Sequence, residues 1–109
     1  MQISTRTNDD IYIVAIAGSL DSATAPEAQK SLQEVLAGAK KVVMDFSNLD
    51  YISSAGLRVL LGAAKQLRAS AGSLGMFGLN QSVREVFEIS GFSSILSIYQ
   101  SEAEALGAM

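Results

Sequence analysis

The chain has 109 residues, 49% of them hydrophobic and 17% charged, a length that closes one core and a balance too apolar for compositional disorder. Eight Lys and Arg against eleven Asp and Glu, for a net charge of -3, argue against a partner held through phosphate neutralisation, which needs basic residues gathered on one face. With no Cys and no His, thiol nucleophiles, disulfides, the usual zinc sites and the Ser-His-Asp and Cys-His arrangements are excluded.

Residues Gln2 to Thr7 and Ile11 to Ala17 are β-prone runs joined by Asn8-Asp9-Asp10, a turn-rich tripeptide of hairpin length. The second run is apolar on both faces and belongs inside a sheet, until Gly18 and Ser19-Leu20-Asp21-Ser22 break it. A helix starts near Thr24 with Pro26 in its first turn, presents Ala28, Leu32, Val35 and Leu36 on one face, and stops at Gly38. Val42 to Phe46 reads as a central strand, Ser47-Asn48-Leu49-Asp50 as a loop, and the strand-helix-strand order as a unit with a parallel pair.

From Ser54 a second helix carries Leu57, Leu60, Leu61, Ala64 and Leu67 on its apolar stripe and runs to about Ala71-Gly72. Ser73 to Gly78 reads as a strand. Asn80 or Ser82 caps a third helix with Val83, Val86 and Phe87 facing inward before Gly91, and Ile95 to Tyr99 and Glu102 to Leu106 close the chain as a short strand and a last fragment. No apolar run approaches the roughly 20 residues of a membrane span. The N-terminus lacks the basic and apolar blocks of a signal peptide, so a cytoplasmic chain with one domain over residues 1–109 is expected.

The chemistry concentrates at Ile52-Ser53-Ser54-Ala55-Gly56, where a strand and loop give way to a strong helix. Serine is a preferred helix N-cap, and that reading needs no further function. A phosphate on such a serine would also meet unsatisfied N–H donors and the positive end of the helix dipole. Small Ala55 and Gly56 leave room for another protein to approach. Serine catalysis is a poor alternative: no histidine can act as base, Gly-x-Ser-x-Gly is absent, and Lys65 lies eleven residues from Ser54, about 16 Å along the axis.

Several landmarks recur in order along nearly the whole chain: Gly18-Ser19-Leu20-Asp21 with Thr24-Ala25, Val43-Met44-Asp45-Phe46-Ser47, Ile52-Ser53-Ser54-Ala55-Gly56-Leu57, Val83-Arg84-Glu85-Val86-Phe87, and Ser90-Gly91-Phe92. Together they resemble the STAS-domain anti-sigma factor antagonists of bacteria. The resemblance implies an α/β fold: a single STAS-type domain with a mixed β-sheet of four to five strands and about four helices packed mainly on one face. It implies a non-enzymatic switch without a cofactor, whose unphosphorylated form binds an anti-sigma factor that is also a serine kinase. ATP is the phosphate donor, and a PP2C-type, manganese- or magnesium-dependent phosphatase reverses the step. In the best-known members the phosphorylated hydroxyl stands immediately before the glycine and an aspartate two residues earlier. Here Ala55 and Ser53 hold those positions, which makes Ser54, the hydroxyl nearest the glycine and the expected helix cap, the expected acceptor, with Ser53 the alternative.

Asp21, Ser53, Ser54, Gly56 and Arg58 are the expected partner-facing residues. Asp21 and Arg58 also have plainer readings, as a turn aspartate and a solvated helix residue. Asp45, Asp50 and Ser47 lack the ligand count of a hard-cation site. A monomer that contacts neither nucleic acid nor membrane is expected. The rival reading is a STAS module that binds a ligand or serves as a scaffold in a non-transcriptional partner-switching pathway.

Overall fold

Asp9 and Asp10 turn the chain back on itself between β1 (Gln2–Asn8) and β2 (Ile11–Leu20), which pair antiparallel from Gln2 opposite Ala17 to Asn8 opposite Ile11. Asp9 has a φ of 55°, a left-handed conformation that a short polar side chain tolerates. A computed structural model describes residues 1–92 and 96–109.

Strand β2 does not end at Gly18 as its composition suggests. The register shifts between Gly18 and Ser19, and pairing resumes to Leu20. Its first half pairs in parallel with β3 (Lys41–Asp45), and its second half with β4 (Leu49–Ile52). The expected loop at 47–50 is therefore only a turn at Ser47 and Asn48. Leu49 and Ile52 are buried while Asp50 and Tyr51 are exposed, so the strand has no simple alternation to betray it.

The remaining elements follow the expected order, with the boundaries moved a little. Helix α1 (Ala25–Leu36) has Thr24 as N-cap and Pro26 in its first turn, and buries Ala25, Ala28, Leu32 and Leu36. Helix α2 (Ser54–Ala69) buries Gly56, Leu57, Leu60, Ala63 and Leu67, leaving Leu61 and Ala64 half-buried. Then come β5 (Ser73–Phe77), α3 (Gln81–Ile89), β6 (Ser97–Tyr99) and α4 (Glu102–Gly107). Asn80, not Ser82, caps α3. Ile95, expected to open the last strand, lies outside the described residues.

The sheet runs β1-β2-β3-β5-β6, with β4 set beside β2 beyond the end of β3. Among the described residues that makes six strands, one or two more than expected, because the 49–52 segment joins the sheet. Helices α1, α2 and α3 bury Leu32, Leu60 and Phe87 with Val14, Met44 and Met76 of the sheet. Helix α4 covers a smaller cluster on the other face, where Ala105 meets Ile11, Ile13, Val43 and Phe77. Among the described residues, no helix is long and apolar enough to cross a membrane.

Candidate functional site

The second half of β2 and the short β4 end together, and that shared end places the serine junction. The N–H of Ser53 donates to the Leu20 carbonyl at 2.9 Å, and one turn on, the Leu57 N–H donates to the Ser53 carbonyl at 3.0 Å. Ser53 is thus both the last extended residue and the N-cap of α2, with φ -102° and ψ 176°. Ser54, expected to be the cap, is instead the first helical residue.

The two hydroxyls have opposite surroundings. Ser53 makes no capping hydrogen bond, and its Oγ is buried without a partner. Ser54 is exposed. A buried hydroxyl cannot reach another protein's active site without local opening, whereas one in the first turn of a surface helix can.

Gly56, expected to keep the approach clear for a partner, is buried and has an internal task. A Cβ there would lie 2.6 Å from the Leu20 carbonyl oxygen and 2.8 Å from both Ile52 Cγ1 and Leu20 Cγ, distances at which something must move. The missing side chain lets α2 sit against the end of β2. Gly56 therefore shapes the surface by setting the height of the helix that bears Ser54.

Asp21 follows Leu20 directly, so the structure does bring it to the same end of the sheet. Its Oδ1 accepts from the N–H groups of Ala23 at 3.0 Å and Thr24 at 3.2 Å. The Thr24 hydroxyl accepts from the Asp21 N–H at 2.9 Å and donates to the Ser19 carbonyl at 2.8 Å. The carboxylate builds the turn that starts α1, the plainer of its two readings. Asp45 likewise accepts from the Ser47 N–H at 2.9 Å and shapes its own turn.

Arg58 is exposed one turn into α2 and lines an open groove of about 630 Å³ between α1 and α2, with Ser22, Pro26, Gln29, Ala55 and Val59. Among the described residues no carboxylate stands within ion-pairing distance of it. Helix α2 has no acidic residue in its first turn and no side-chain cap. The others are better served: α1 has Glu27 in its first turn, Asn80 caps α3, and α4 has Ser101 as cap with Glu102 and Glu104. Among the described helices, α2 is the one whose N-terminus, the positive end of the dipole, has neither a side-chain cap nor an acidic residue in its first turn.

At this end Tyr51 was not singled out from the sequence, and Asn80 was expected only as a cap. Tyr51, on β4, is 52% exposed and adds an aromatic surface three residues before Ser54. Asn80 accepts from the Val83 N–H at 2.8 Å while its amide donates to the Leu49 carbonyl at 3.0 Å, tying β4 to α3. Its capping role was legible from the residue type; its tie to β4 was not, because β4 itself read as a loop.

Residues 2–105 match the STAS domain. BtrV of Bordetella bronchiseptica is 44% identical over 109 residues, covering 99% of this chain and 94% of that protein. An anti-sigma-B factor antagonist of Listeria monocytogenes is 37% identical over 109 residues, covering 98% and 94%. A crystal structure of an anti-sigma factor antagonist from Mycobacterium paratuberculosis superposes with a TM-score of 0.91 at 22% identity, covering 98% of this chain and 92% of that one.

Proposed function

The chain belongs to the STAS-domain family, and on that footing we propose that it is an anti-sigma factor antagonist switched by phosphorylation of Ser54. In the unmodified state the surface around Ser54, with Tyr51 and Arg58 beside it, docks on an anti-sigma factor that is also a serine kinase. The Ser54 hydroxyl oxygen takes the γ-phosphoryl group of ATP, its proton is released, and the bond to the departing ADP breaks. A PP2C-type phosphatase returns the hydroxyl by hydrolysis. The chain itself performs no catalysis and works in the cytoplasm.

The observation that carries this reading is the contrast between the serines: Ser54 is exposed at the start of a surface helix, and the Ser53 oxygen is buried. Phosphate adds about -1.5 to -2 charge at neutral pH, and at a docked surface it acts by repulsion and by the cost of desolvating it. Titration of the partner kinase with variants tests the assignment. Ser54→Asp should weaken binding by at least about tenfold, and Ser54→Ala should bind like the unmodified chain and no longer respond to ATP. Equal affinity of both variants, with the response to ATP intact, would remove Ser54 from the switch.

A further inference from the structure

We infer that Arg58 is the internal receptor for the Ser54 phosphate, so that modification withdraws a guanidinium from the α1/α2 groove while it adds negative charge beside it. The inference rests on the reading of Ser54 as the modified residue. Ser54 and Arg58 are four residues apart on α2, a spacing that puts their Cβ atoms about 5–6 Å apart on one face. The reach suits a phosphate on the short serine side chain and a fork of donors on the long arginine one.

Three further observations point the same way. Helix α2 contains Arg58, Lys65 and Arg68 and no Asp or Glu, so a cation stands near its N-terminus, where the dipole opposes it. The side chain best placed to cap that end does not: the Ser53 Oγ is buried and partnerless at the N-cap. Arg58 itself is exposed and, among the described residues, has no carboxylate to pair with. An anion at Ser54 would relieve the dipole and pair the arginine together. The local charge then changes from about +1 to about -1, counting the phosphate at its neutral-pH value. A partner that met a free guanidinium in the groove would find it engaged.

The test installs phosphoserine at position 54 by genetic encoding, so it does not depend on any kinase acting there. Phosphorus NMR then follows the second ionisation of the phosphate in the otherwise unaltered chain and in Arg58→Ala, Arg58→Lys and Lys65→Ala. With Arg58 present the midpoint should lie about 0.5 pH below that of Arg58→Ala, the size of one exposed helix charge pair. Arg58→Lys should recover part of the difference and Lys65→Ala should leave it intact. Equal midpoints with and without Arg58, or as large a change on losing Lys65, would overturn the inference. Failure of the partner kinase to label Ser54 would count against the proposed function alone.

Discussion

Ser53 and Ser54 carry the same side chain, yet one hydroxyl is buried without a partner and the other faces solvent. The difference follows from one backbone bond. Ser53 uses its N–H to complete the β2–β4 pairing, which leaves it extended and turns the next residue into the helix. Because a buried unpaired hydroxyl costs free energy that an apolar atom does not, Ser53→Ala should leave stability unchanged or raise it by up to about 1 kcal/mol. Urea unfolding measures this, and a loss beyond about 1 kcal/mol would show that the hydroxyl has a partner after all. Gly56→Ala should behave in the opposite way, losing about 2–3 kcal/mol in the same experiment as the new methyl drives α2 off the Leu20 carbonyl. The pair of serines and the glycine were all visible as a motif. Which serine is accessible was not, because it depends on where β4 ends, and the glycine's task depends on a contact with Leu20, 36 residues earlier.

Among the elements, those with a strong period were legible. The apolar stripes of α1 and α2, the cap before α3 and the first hairpin all follow from local residue chemistry. Strand β4 was not, since it buries only its two ends and pairs with a stretch of β2 beyond a register shift. It is held from the far side by Asn80, whose amide reaches the Leu49 carbonyl while its oxygen caps α3. Asn80→Ala should cost about 1–2 kcal/mol in urea unfolding, and Asn80→Asp, which keeps the cap acceptor but loses the donor, should cost less. If the two variants were equally destabilised, the cap would not be contributing.

Across the molecule, α1, α2 and α3 close one face of the sheet and α4 covers part of the other. The serine junction stands at the end of the sheet where β2 and β4 finish. Exposed large hydrophobic residues among those described are Tyr51 and Ile89, on separate elements, and neither makes an extended apolar face. Light scattering on the purified chain should accordingly give a mass close to 11.5 kDa; a mass twice that would show self-association. The resemblance in sequence implied the architecture, and of the two junction serines the structure leaves the Ser54 hydroxyl exposed and buries that of Ser53.

The most direct measurement is mass spectrometry after incubation with the partner kinase and ATP. Trypsin releases the peptide Val42 to Arg58, which holds Ser47, Tyr51, Ser53 and Ser54 together, so fragmentation has to place the phosphate within it. A single phosphate on Ser54, absent from Ser54→Ala, is the expected result. A peptide that stays unmodified, or one that carries its phosphate on Ser53, would contradict it.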